Sequence, residues 1–185
     1  MKRTAFIILL ILCAAAKSSA QEKLTHFEVY GGYECFPDMT NKSGWSINAG
    51  AGYAFTQKYY MAAMLHCGIN NGKFTGMYAG EKTRLSHNLR EYMIGIGPGI
   101  YLYNGGDKWI HADVLLGYGF GEETKDGSDE AKRKSLDSFA TAVRLGFEYQ
   151  LNTGIILGIN AGGYYVGNEI RPAVCAKIGF YIPLL

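Results

Sequence analysis

From residue 24 onward the apolar and polar positions of the chain alternate with a period of two instead of 3.6. Across 45–55 the odd positions Trp45, Ile47, Ala49, Ala51, Tyr53 and Phe55 are apolar, while Ser46, Asn48, Gly50, Gly52 and Ala54 between them are small or polar. Successive side chains of a strand point to opposite faces, so this is a strand with two unlike sides. Phe139, Val143, Leu145, Phe147 and Tyr149 oppose Ala142, Arg144, Gly146 and Glu148 in the same way. Ile110, Ala112, Val114, Leu116, Tyr118 and Phe120 oppose His111, Asp113, Gly117 and Gly119. The pattern predicts eight strands, at 25–35, 44–55, 59–69, 89–103, 108–120, 138–151, 153–166 and 173–184. They are longer than the mode of about 5–6 residues for globular strands, and a tilted membrane-crossing strand needs about 9–11.

The connections add a second regularity. Short ones, Thr56 to Lys58, Asn104 to Asp107 and Asn152 to Gly154, carry the Asn, Gly and Asp that tight hairpins use for positive φ angles. They alternate with longer ones, Phe36 to Ser43, Asn70 to His87, Gly121 to Asp137 and Gly167 to Pro172. Short turns at one end and long loops at the other are the mark of a transmembrane barrel with both termini on the periplasmic side.

Alternation alone does not say which face meets lipid. A soluble barrel turns its apolar face inward and needs charge outside, yet here the non-apolar face is loaded with small residues, among them Gly50, Gly52, Gly95, Gly97, Gly117, Gly119, Gly146, Gly158 and Gly179. Small residues fit a narrow lumen where eight strands converge. Aromatics on the apolar face gather near strand ends, at Trp45, Phe55, Tyr59, Tyr92, Phe120, Phe139, Tyr149, Tyr165 and Phe180, as an interfacial girdle requires. Pro98, flanked by Gly97 and Gly99, removes a ladder donor and predicts a bulge.

Composition fits this picture. The 185 residues are 48% hydrophobic and 18% charged, with 25 Gly and 14 Tyr. Residues 1–20 run from Lys2 and Arg3 through an apolar stretch to Ser18, Ser19 and Ala20, the order of a cleaved secretory leader. That apolar stretch is shorter than the roughly 20 residues needed to span a bilayer as a helix. Without Lys2, Arg3 and Lys17 the formal charge of +2 becomes −1, leaving residues 21–185 as one near-neutral barrel domain. A near-neutral chain is poor material for nucleic-acid binding, which rests on phosphate neutralisation. Cys35, Cys67 and Cys175 remain after the leader, an odd number that excludes a fully paired framework, and the side chains of Cys35 and Cys175 are predicted to point opposite ways.

At the last strand Lys177, Gly179, Ile182 and Leu184 resemble the C-terminal signal read by the barrel-assembly machinery of Gram-negative outer membranes. The whole stretch 21–185 resembles the OmpA/OmpX-type small outer-membrane β-barrels. The resemblance implies an all-β, eight-stranded antiparallel up-and-down transmembrane barrel in the bacterial outer membrane. It also implies lipid, lipopolysaccharide and the assembly machinery as partners. Members of that superfamily include structural proteins, adhesins and lipid-modifying enzymes, so fold leaves function open.

The lumen face carries the candidate chemistry: His26, Glu28, His66, Glu91, His111, Asp113, Arg144, Glu148, Asn160, Tyr164, Lys177 and Tyr181. Buried charges must be paired, so Glu28, Glu91, Asp113, Arg144, Glu148 and Lys177 are expected to form an ion network, with Arg144 between Asp113 and Glu148 and Lys177 reaching Glu28. No catalytic residue, metal ligand or cofactor site is assigned. The leading expectation is a monomeric, non-enzymatic, structural or adhesive barrel without a large pore, meeting an extracellular partner through loops 70–87 and 121–137. The alternatives are a lipid A-modifying enzyme using His111 and a soluble periplasmic barrel holding a small hydrophobic ligand.

Overall fold

A computed structural model describes residues 24–78, 80–126, 132–151 and 154–183. Every regular element among them is a strand: β1 (Leu24–Cys35), β2 (Ser43–Ala54), β3 (Tyr59–Tyr78), β4 (Glu81–Asn104), β5 (Lys108–Lys125), β6 (Lys132–Ser135), β7 (Ser138–Gln150), β8 (Ile155–Val166) and β9 (Glu169–Pro183). All neighbours pair antiparallel, and β4 pairs with β5 while β1 pairs with β9, which closes the sheet. The ring is β1-β2-β3-β4-β5-β7-β8-β9, an eight-stranded up-and-down barrel. The short β6 lies outside the ring count and pairs with the outer end of β5. The leader lies outside the described residues.

Side chains obey the two-residue period around the whole ring. Val29, Ile47, Leu65, Ile94, Val114, Leu145, Ile159 and Ile178 stand exposed on the outside, while Glu28, His66, Met93, Asp113, Arg144, Tyr164 and Lys177 are buried inside. This is the inverse of a soluble barrel and removes the soluble reading. Cys35, Cys67 and Cys175 are free, and Cys175 alone of the three is buried.

Strand lengths depart from the sequence pattern at the outer end. Of residues 70–87, expected as a loop, 70–78 continue β3 and 81–87 belong to β4, paired from Asn70↔Leu89 up to Tyr78↔Glu81. Of the expected loop 121–137, β5 keeps residues to Lys125 and β6 returns along it. The expected loop 167–172 shrinks to Gly167 and Asn168, whose φ angles of 62° and 71° are those of a two-residue type I′ turn. The alternation stops above residue 69 because a strand that has left the hydrocarbon faces water on its outer side and needs no apolar stripe there. Backbone pairing continues regardless. Of the four outer connections, Phe36–Lys42 is a loop folded back over the barrel mouth, closed by Phe36 N–H donating to Lys42 O at 2.9 Å.

Pro98 does not shift the register. Its β3 partner is Met61. Towards β5 the ladder skips Gly97 and Pro98 and resumes in the same register, from Ile96↔Leu116 to Gly99↔Asp113. The irregularity lies lower, between Tyr101 and Tyr103.

Several lumen glycines are demanded by close backbone approach. A Cβ on Gly117 would stand 1.8 Å from Ile94 O, and one on Gly97 2.0 Å from Val114 O. Neither carbonyl can retreat without breaking the β4–β5 ladder. Gly163 is different: its nearest neighbour would be 3.8 Å away. Gly117→Ala should therefore lower stability by about 1–3 kcal/mol or more, as overpacking does. Gly163→Ala should stay within about 0.5 kcal/mol. Urea midpoints, read from the mobility of unboiled protein on gels, check both; equal midpoints would contradict the close approach.

Candidate functional site in the lumen

The lumen holds two layers of polar side chains, each placed by strand parity and register. In the lower layer Arg144 of β7 lies opposite Asp113 of β5 in register, and its Nε and Nη2 donate to Asp113 Oδ1 and Oδ2 at 2.7 and 2.8 Å. Such a bidentate pair is the strongest way to satisfy a guanidinium. The remaining Nη1 crosses the lumen to Glu28 Oε1 at 3.3 Å and to the Tyr30 hydroxyl, with the guanidinium over the Tyr30 ring. Lys177 donates to Glu28 Oε2 at 2.7 Å and to Glu148. His111 joins the two ends, with Nε2 2.9 Å from Glu148 Oε1 and Nδ1 2.8 Å from the oxygen of Tyr60, whose hydroxyl donates to Asp113 at 2.9 Å. Below this, His26, Tyr181, Tyr101 and Trp109 fill the lumen, Trp109 and Tyr181 with ring centroids 5.4 Å apart.

The upper layer is built on Arg171 of β9, which is fully buried. It donates through Nε to Glu91 Oε2 at 2.8 Å, pairs with Asp38 of the mouth loop, and lies over the Phe36 ring. Glu91 also approaches His66 Nε2, at 3.9 Å, and Glu34 Oε1 comes to 3.7 Å from the same nitrogen. These three residues bring one donor atom each to within 4.8 Å of one another. His66 is oriented from its other side, where Nδ1 lies 2.7 Å from Asn48 Oδ1, and by stacking on Tyr164. Phe36, Met39, Leu89 and Leu136 close over this layer as a buried apolar lid. The lid is tied at its rim: Asn70 Nδ2 donates to Asn41 O at 2.7 Å, and His87 bridges Thr40 and Glu123 at 2.9 and 2.8 Å.

Of the residues expected in one ion network, Glu28, Asp113, Arg144, Glu148 and Lys177 come together and Glu91 does not. Glu91 sits higher, with Arg171. The pairing also differs. Arg144 and Glu148 lie four residues apart on one strand, about 13 Å, so Arg144 takes Glu28 across the lumen instead. Lys177 reaches Glu148 because both are in register with Gly158 between them, which presents no side chain to separate them. Sequence reasoning missed Glu34, Asp38 and Arg171. Glu34 shares the parity of Glu28 and could have been read. Arg171 was hidden by the loop assigned to 167–172, and Asp38 reaches the site only because its loop folds inward.

Trp45, Tyr59, Tyr92, Phe120, Phe139, Tyr149 and Phe180 are exposed, while Phe55 and Tyr165 are half-buried. Tyr92 stacks on Phe120 near the outer end of the barrel, and Phe27 on Phe180 near the inner end. In the C-terminal segment Lys177 and Gly179 face the lumen, Ile182 pairs with Thr25, and Leu184 lies outside the described residues.

Over residues 6–174 the sequence matches the model of the outer membrane protein beta-barrel domain. No curated protein matches it. Among solved structures, Ail, the attachment invasion locus protein of Yersinia pestis, superposes with a TM-score of 0.62 at 11% identity, covering 88% of this chain and 100% of Ail. The outer membrane protein OprG from Pseudomonas aeruginosa gives 0.60 at 14% identity, covering 88% of this chain and 98% of OprG. Neisserial surface protein A gives 0.56 at 13%, covering 88% and 99%. Ail is also described in complex with the heparin analogue sucrose octasulfate.

Arg144→Ala should leave the Asp113 carboxylate buried without its cation, Glu28 keeping Lys177, at a cost of about 3–5 kcal/mol. An unmoved denaturant midpoint in detergent would show that the lower layer is not held by this pair. A second expectation concerns the mouth. Partial burial raises the Asp38 carboxyl, but the hydrogen bond and charge of Arg171 outweigh it and hold the group below its usual value of 3.8. A carboxyl lowered in the folded state stabilises above its unfolded pKa and loses that contribution as pH falls through the folded value. The Asp38 contribution to holding the loop is thus complete at neutral pH and fades below about pH 4. Amide exchange in 36–42 should accelerate on acidification in the parent, while Asp38→Asn should be fast throughout and lack that step; a step unchanged by the substitution would assign it to another group.

Proposed function

Because the chain belongs to the outer membrane protein beta-barrel domain family and resides in the bacterial outer membrane, we propose that it is a non-enzymatic barrel that presents a polar β-ribbon at the cell surface as an adhesive contact. The observation that carries this reading is the outer half of the β3–β4 hairpin. At about 3.4 Å per residue, Asn70–Tyr78 adds on the order of 30 Å of strand beyond the segment that matches the membrane. Register places Lys73, Lys82 and Arg84 on one face of this ribbon, Arg84 opposite Thr75 and Lys82 opposite Met77, while Glu81 falls on the other. All three cations are exposed. A one-sided cationic face suits an anionic polysaccharide, and Ail, of like fold, has been crystallised with a heparin analogue. Lipopolysaccharide, which lies around the base of the ribbon, is a partner of the same chemistry.

The interior supports the rest of the reading. Two polar layers and an apolar lid occupy the lumen, and eight strands leave room for little more than side chains; this argues against a large pore. The contacts of His111 are to Tyr60, Asp113, Glu148 and Lys177, every one turned inward and buried, so lipid A has no approach to it. The protein acts as a monomer, and Lys177, Gly179, Ile182 and Leu184 engage the assembly machinery on the way to the membrane.

Retention of cells on immobilised heparin tests the proposal. Cells displaying the parent should be held, and Lys73→Gln, Lys82→Gln and Arg84→Gln together should reduce retention at least about tenfold, since each cation near an anionic surface is worth about 1 kcal/mol. Folding is checked by the heat-modifiable gel shift. Retention no greater than that of cells lacking the protein, or unaffected by the triple substitution, would overturn it.

A further inference from the structure

The upper layer contains an electrostatic conflict that the side chains present do not resolve. Glu34, His66 and Glu91 are wholly buried, and both carboxylate oxygens of Glu34, Oε1 of Glu91 and Nε2 of His66 have no hydrogen-bond partner. Asn48 Oδ1 accepts from His66 Nδ1, which leaves the Nε2 lone pair free and aimed at the two carboxylates. Three acceptors therefore converge with only the Ser46 hydroxyl beside Glu34 as a donor, and their separations of 3.7 and 3.9 Å from Nε2 are too long for hydrogen bonds. When ionised, Glu34, Glu91 and Asp38 against Arg171 sum to a charge of −2, with Asp38 alone of the four partly open to solvent. The lower layer, by contrast, sets Arg144, Lys177 and His111 against its three carboxylates.

We propose that Glu34, His66 and Glu91 bind one divalent transition-metal ion of the Zn²⁺ class. A divalent ion cancels the charge of the layer and gives every orphaned acceptor a partner. Two donors each about 2.1 Å from a Zn²⁺ stand about 3.4 Å apart at the tetrahedral angle; the two carboxylates lie 3.7 and 3.9 Å from Nε2, and all three donors lie within 4.8 Å of one another. One imidazole with two carboxylates favours Zn²⁺ and its neighbours over Ca²⁺ or Mg²⁺, which take oxygen alone. The Asn48–His66 contact is the outer support that metal-bound imidazoles use to fix their tautomer. The ion joins β1, β3 and β4. Through Glu91 and Arg171 the site neighbours Asp38 of the mouth loop, while the rim contacts of His87 with Thr40 and Glu123 take no part in it. A water molecule suits the unpartnered amide of Asn160 elsewhere in the lumen, but it supplies two hydrogens and no charge to Glu34 and Glu91.

The test uses the full chain without an affinity tag, refolded in detergent with Zn²⁺ present so that entry past the lid is not required. Metal analysis after gel filtration should find one Zn²⁺ per barrel. Glu34→Gln and His66→Gln should weaken retention at least about tenfold while keeping the heat-modifiable gel shift, and His87→Gln, at the rim, should leave it unchanged. X-ray absorption of the parent should give a first shell of one imidazole nitrogen with oxygens; this reading holds even where a variant does not fold. No retained zinc, retention insensitive to both lumen substitutions, loss in His87→Gln, or a first shell containing sulfur or several imidazoles would overturn the assignment.

Discussion

Hydrocarbon offers a peptide group nothing to bond to, and that constraint organises this protein from the outside in. Each backbone N–H and C=O within the membrane must find its partner in the next strand, so the sheet has to end where it began, with β9 on β1. Closure with eight strands fixes a narrow interior. The alternation that gives lipid its apolar face then sends every second side chain into that interior. Polar groups are thus crowded where water is scarce, and Arg144 with Asp113, Lys177 with Glu28 and Glu148, and Arg171 with Glu91 answer the crowding.

Glycine makes the crowding tolerable. Where a large side chain fills the lumen, its neighbour across the ladder is often one that presents none: Gly50 beside Glu28, Gly146 beside His111, Gly158 between Glu148 and Lys177. The glycine-rich face is therefore the complement of the charged one, and neither could be exchanged without the other. Pro98 fits the same logic. Its missing donor falls where the β4–β5 ladder is already interrupted, so the register survives.

The parts of this architecture legible in the sequence are those that lipid dictates. Parity placed Glu28, Asp113, Arg144, Glu148 and Lys177 inside because the strands carrying them also carry an unbroken apolar stripe. Above residue 69 that stripe is lost, and Asn70, Asn71 and Gly72 read as turn residues although the ladder runs straight through them. Arg171 was obscured for the same reason at the outer end of β9. Partner choice within the lumen was not legible, because it depends on which strands face one another across the barrel. Parity gives the side of the sheet, and only closure gives the opposite wall. Glu34, His66 and Glu91 meet through the register of the neighbouring strands β1 to β4, which parity does not give either.

Beyond the membrane the ribbon of β3 and β4 lives under a different rule. Lys73 to Tyr78 of β3 pair with β4 alone among the described strands, and Glu81 to Leu85 of β4 pair with β3 alone, so both outer edges of the ribbon present backbone groups to water above the points where Asn41 bonds Asn71 and Asp126 bonds Ser86. Open edges of this kind invite neighbouring molecules to join into a continuous sheet. Lys73, Lys82 and Arg84 stand along this stretch, and like charges on an open edge disfavour its pairing with a second copy. The cations that recommend the ribbon to an anionic partner also preserve it as a separate, available surface.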